Sequence, residues 1–102
     1  MNEGEILNKE LLLNQKKEQS FIKLQKIAQI LKEMGLRVID HFISKDCFKE
    51  SIPFPIVRDG ADGIRAVYER GEIKIFFTNG FEDPKNTRRQ EVEIKLKEAG
   101  IF

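Results

Sequence analysis

Asp59, Asp62, Glu82 and Asp83 fall near the open end of a stretch that reads as a β-hairpin. Two or three carboxylates brought together can hold a magnesium ion, which activates a bound water for hydrolysis. Carboxylates beside glycines, as in Asp59-Gly60 and Asp62-Gly63, are also ordinary turn chemistry. A second group is basic. Lys85, Arg88 and Arg89 surround the expected start of the last helix, with Arg58 nearby. Cations there oppose the helix dipole, at about 0.3–1 kcal/mol each. An anion in the site reverses that balance, because free N–H groups and guanidinium forks both bind phosphate. On this reading, alanine at Arg88 and Arg89 leaves folding intact or improves it slightly. The alternative is a solvated cap whose arginines pair with Asp83, Glu91 or Glu93.

These groups need a frame, and the pattern of apolar residues predicts one. Ile64–Thr78 reads as a hairpin turning at Arg70-Gly71, where glycine accepts the positive φ of a tight turn. A two-residue loop pairs Glu69 with Glu72, Tyr68 with Ile73, Ala66 with Ile75, Ile64 with Phe77 and Asp62 with Asn79. Ile64, Ala66, Ile73, Ile75 and Phe77 then share a core face with Leu24, Ala28 and Leu31, and Phe77→Ala is expected to unfold the domain. The opposite face carries Arg65, Val67, Lys74 and Phe76. Phe76 there can stack on bases or pack on a partner, or lie beneath the first helix.

Helical spacing of Phe21, Leu24, Ile27, Ala28, Leu31 and Met34 predicts a helix over Glu18–Met34, ended by Gly35. Leu36–Ile43 reads as a strand buried on both faces. Pro53 and Pro55 make the next segment an extended rim or edge. Val92, Ile94 and Leu96 alternate with charged residues as a half-buried strand would, but Thr87-Arg-Arg-Gln90 fits a capping box and Val92, Leu96 and Ala99 share a helical face, so a helix is expected over Thr87–Ala99. Leu96-Lys-Glu-Ala-Gly-Ile echoes Leu31-Lys-Glu-Met-Gly-Leu, where the first helix ends. Residues 1–17 read as a short helix around Ile6, Leu7, Leu11 and Leu13 or as a mobile tail, ahead of one domain over 18–102.

The order helix, strand, hairpin, helix over Glu18–Phe102 resembles the nuclease core of the PD-(D/E)XK superfamily, especially Holliday-junction resolvases and virus-type replication-repair nucleases. The resemblance implies an α/β domain with a small mixed β-sheet, a restriction-endonuclease-like core in reduced form. It places Glu18 as the acidic residue of the first helix, Asp62 as the aspartate opening the second strand, and Gln90 as the glutamine of the following helix. The letters of a third motif, Glu72-Ile-Lys74, lie beside the turn, roughly 23 Å along the ladder from Asp62. Opposite Asp62 stand Phe77, Thr78 and Asn79, where an active member carries glutamate and lysine. The expected function is therefore nucleic-acid association, with DNA or RNA, by a nuclease-like but inactive core that holds phosphates through Lys85, Arg88 and Arg89. Two rivals stay open: an active Mg2+-dependent nuclease using Glu18 and Asp62, and an interaction or inhibitor protein, a homodimer, using Leu11–Leu13 or the apolar hairpin face.

Composition bounds these readings. A chain of 102 residues with 40% hydrophobic and 34% charged residues supports one modest core and argues against global disorder. A net charge of +1 means that any polyanion must be met by a local cluster. Cys47 and His41 are each the single residue of their type, so one chain forms no disulfide and no zinc cage from them; Cys47 is expected half-buried. No long apolar run crosses a membrane, and a reducing cytoplasmic setting is expected. Nothing calls for an organic cofactor.

Overall fold

The computed structural model describes residues 3–102, without the side chains of residues 3–10, Leu13 and Cys47. The readings of Ile6, Leu7 and Leu13 as a stripe, and of Cys47 as half-buried, lie outside the described residues. Helix α1 spans Glu3–Glu33, with no break at Glu18. Its stripe of Leu24, Ile27, Ala28 and Leu31 is buried. The helix stops at Gly35, whose φ of 82° lets Leu36 N–H donate to Leu31 O at 3.1 Å. The echoed sequence makes the same closure at the other end of the chain: Gly100 has φ 76° and Ile101 N–H reaches Leu96 O at 2.9 Å. The two similar hexapeptides are one helix-ending device used twice.

The sheet is β1 (Phe54–Asp59), β2 (Asp62–Glu69) and β3 (Glu72–Asn79), in that order and antiparallel throughout. The expected mixed sheet is thus corrected to an antiparallel one, within a mixed α/β fold of two helices and three strands. The hairpin register is as the pattern predicts, from Glu69 opposite Glu72 to Asp62 opposite Asn79. The Pro53–Pro55 rim is the start of edge strand β1, where an irregularity between Pro55 and Val57 accommodates the missing N–H.

The expected strand Leu36–Ile43 does not form. Val38 makes one bridge to Val57, and Ile39 N–H donates to Ile56 O at 2.8 Å. The chain then coils into a short 3-10 turn, Asp40–Phe42, with Lys32 gripping Asp40 at 2.6 Å. Phe42 and Ile43 lean on the core instead of extending the ladder. Only Leu36 of the segment is buried, and Val38, Ile39, Phe42 and Ile43 are half-buried, so the burial on both faces expected of a strand is not reached.

Helix α2 is Thr87–Glu98. Its cap is Asn86, whose side chain accepts from Arg88 N–H at 2.9 Å and Arg89 N–H at 3.2 Å. The cap thus lies one residue before the expected Thr87 and the capping box does not form, because Gln90 Nε2 donates to Pro84 O at 3.1 Å instead of closing on the cap. Both helices cover one side of the sheet: Leu24, Leu31, Val92 and Leu96 join Ile64, Ala66, Ile73 and Phe81 in one core, with Ile75 and Phe77 half-buried against it. The body measures 53 × 24 × 21 Å. Its long axis reflects α1, which reaches the hairpin turn where Ser20 Oγ donates to Gly71 O at 3.1 Å and then runs on beyond it. No described helix is long and apolar enough to cross a membrane.

Candidate functional site

Two places bring sequence-predicted residues together. The first is the open end of the hairpin. There Asp62 sits where the turn after β3 closes on the chain before β2, through Gly80 N–H to Ala61 O at 2.6 Å. A side chain at Gly80 would collide with the Asp62 carboxylate and press on Ala61 O, so glycine there leaves Asp62 free to hold its partners. Asp62 accepts from Asn86 Nδ2 at 3.2 Å and from Arg88 Nη1 at 3.0 Å. Arg88 Nη2 reaches Asp59 Oδ2 at 3.0 Å. One guanidinium thus bridges both aspartates and ties the mouth of the hairpin to the first turn of α2.

This arrangement does not fit magnesium. The Arg88 guanidinium fills the space between Asp59 and Asp62 and offsets one of their two charges, and no group of three acidic, histidine or cysteine side chains suited to a metal occurs among the described residues. Glu82 and Asp83 are exposed, and Asp83 instead accepts from Lys85 N–H at 2.9 Å. Glu18 pairs with Lys45 and lies two residues before Ser20, at the turn end of the hairpin. Asp62 lies at the other end of the eight-residue β2, so the structure does not bring the two carboxylates together.

The arginines are likewise engaged. Arg89 Nε reaches Glu93 at 2.8 Å, and its Nη1 donates to Phe81 O at 2.9 Å and Glu82 O at 2.8 Å. Its guanidinium also lies over the Phe77 ring at 4.7 Å. With Asn86 on the first N–H groups, the helix start is closed by the protein's own side chains. Of the basic residues expected there, Lys85 is exposed, and Arg58 lies on β1 opposite Gly63.

Arg37 N–H donates to Asp59 Oδ2 at 3.1 Å. That backbone bond, followed by the bond from Arg88, holds the Asp59 carboxyl below the ordinary aspartate value. A depressed folded value means that ionised Asp59 contributes stability above the unfolded value and loses it as pH falls. Thermal melts should therefore show a drop below about pH 4. Asp59→Asn should start lower at neutral pH and converge on the parent as the solution is acidified. A constant gap between the two proteins across that window would contradict the assignment.

The second place is the sheet face that neither helix covers. Paired residues share a face, so Arg58 (opposite Gly63), Arg65 and Lys74 all project there. Each is displaced from the next by one strand and two residues along it. Together they form a diagonal of cations, roughly 8 Å apart at ordinary strand spacing. Phe76 stands opposite Arg65 and two residues from Lys74, and is 39% exposed. Coverage of Phe76 by α1, one of the open alternatives, does not occur. Arg58 and Arg65 form no ion pair with the described residues, whereas Lys74 makes a loose contact with Glu69 at 3.9 Å. The period-two register already placed Arg65, Lys74 and Phe76 together. Adding Arg58 needed the irregularity in β1, which no sequence pattern displays.

Leu11 and Leu12, on the part of α1 beyond the sheet, are 58% and 52% exposed. The chain matches no family model, no curated protein and no solved structure.

Proposed function

We propose that this protein associates with DNA or RNA without cutting it, through the open face of its sheet. The observation that carries the reading is the diagonal Arg58–Arg65–Lys74 beside exposed Phe76. A row of cations meets a row of phosphates, and an aromatic ring among them offers a stacking surface that any base can use. A net charge of +1 does not oppose this, because Asp59 and Asp62 are turned to Arg88 and Glu18 to Lys45, and the acids of this face, Glu69 and Glu72, stand at its turn end beyond Arg58 and Arg65. The proposal moves phosphate binding from the start of α2 to the sheet. It keeps the restriction-endonuclease-like core as an inferred frame, supported by the order of one helix, three antiparallel strands and a second helix. Fluorescence anisotropy with labelled oligonucleotides across a salt series tests it. Affinity that falls steeply with salt, with no cleavage in Mg2+ or Mn2+, supports the reading, and no binding at low salt removes it.

A homodimer is the second reading, favoured by the exposed Leu11 and Leu12 on the projecting part of α1. Light scattering that gives the mass of two chains, and of one chain in Leu11→Glu, supports it.

A further inference from the structure

The groove beside the outer edge of β1 continues the cation diagonal and differs from it in shape. It has a volume of about 390 Å3 and is lined by Arg37, Ile39, His41, Phe42, Pro55 and Arg58. Arg37 and Arg58 are carried on backbone that is pinned together, Arg58 N–H donating to Arg37 O at 3.2 Å. Two guanidinium groups therefore sit at one side of a groove whose other walls are Ile39, Pro55 and the ring of Phe42. The imidazole of exposed His41 lies 4.3 Å from that ring. Flat apolar walls with guanidinium forks at the rim match a nucleobase with its phosphate outside.

We infer that this groove takes one unpaired base, so that the ligand of the sheet face is single-stranded nucleic acid. The inference rests on the reading of the sheet face as a nucleic-acid surface and adds its substrate class. A base within a duplex is paired along its edge and stacked on both faces, so it cannot enter a groove walled by side chains without being flipped out. An unpaired strand has no such cost. Arg58 belongs to both places: it lines the groove and begins the diagonal, so a strand with a base in the groove continues over Arg65 toward Lys74. Pro55 is shared in the same way, as a wall of the groove and the residue opposite Arg65. Phe76 lies across the sheet from Pro55 by two strand spacings, about 10 Å, and accepts a second unpaired base.

The test uses the full chain and a short fluorescein-labelled oligonucleotide in deoxyribo and ribo forms. Each is offered single-stranded, as its duplex, and single-stranded with a run of abasic sites. Single strands should bind at least about tenfold more tightly than the duplex, and abasic sites should remove about that factor. Arg37→Gln with His41→Ala changes two exposed side chains, so its melting curve should match the parent's while the preference for single strands is lost. The deoxyribo and ribo arms decide which sugar is favoured, and a preference for either supports the inference. Equal binding of single strand and duplex, or a variant that keeps the preference, overturns the inference and leaves the sheet-face reading standing. Failure of the parent to bind any of the oligonucleotides overturns that reading, and the inference with it.

Discussion

Replacing Phe81 by alanine should cost about 3–5 kcal/mol and leave much of the protein unfolded at physiological temperature. Phe81 is 0% exposed and stands between β3 and α2, the largest side chain of the fully buried set. Its ring meets Phe77 edge-on at 5.9 Å, and the Arg88 guanidinium lies 5.8 Å from its centre. Truncation therefore opens a cavity where the sheet, α2 and the aspartate clasp meet. Phe77, by contrast, is only half-buried against that core. Phe77→Ala should cost clearly less than Phe81→Ala, which reverses the weight placed on Phe77 by the hairpin pattern alone. Denaturant unfolding of the two variants checks the order; equal midpoints would contradict the packing described here.

The second large effect concerns Arg88. The helix dipole alone predicts that removing it is harmless or slightly stabilising. The bridge to Asp59 and Asp62 predicts the opposite sign. Alanine at Arg88 leaves the Asp62 carboxylate, whose side chain is only 14% exposed, facing a second carboxylate with no cation between them. Loss of a hydrogen bond to a charged group of this kind costs about 1–3 kcal/mol. In a domain of this size that lowers the melting temperature by at least about 4–8 °C. Arg88→Lys should recover only part of it, because an ammonium cannot present two parallel donors to two acids. An alanine variant that melts with the parent would show that the clasp is not made in solution.

Much of this frame was legible in the residues. Strict alternation through Ile64, Ala66, Tyr68, Ile73 and Ile75 fixed the hairpin register, because a slip by one residue exposes the whole apolar set. The α1 stripe and its glycine end were equally plain, whereas α2, whose Val92, Ile94 and Leu96 also alternate like a strand, was decided by the echo of that first helix end. Three things were hidden. Leu36–Ile43 has strand-like residues, yet its pairing partner is the irregular edge strand β1, and packing took the place of a ladder. Phe81 lies alone in a polar stretch, where no periodicity marks it as core. The fate of Arg88 and Arg89 depends on which acids the fold carries to them. One of the proposed pairs, Arg89 with Glu93, is made, at helical spacing. The pairing of Arg88 with Asp59 and Asp62 spans at least 26 residues of chain and follows from the register only once α2 is placed.

The central claim is that the uncovered sheet face binds nucleic acid through its cation diagonal. Its most direct test is the salt dependence of single-strand affinity in Arg58→Gln, Arg65→Gln, Lys74→Gln. These side chains are exposed, so the triple variant should fold like the parent. The slope of log affinity against log salt should become shallower by about 0.7 for each lost phosphate contact, close to 2 in total. Affinity should fall alike for all sequences, since phosphate contacts position a strand without reading it. A parent and a triple variant with the same slope and the same affinity would contradict the claim.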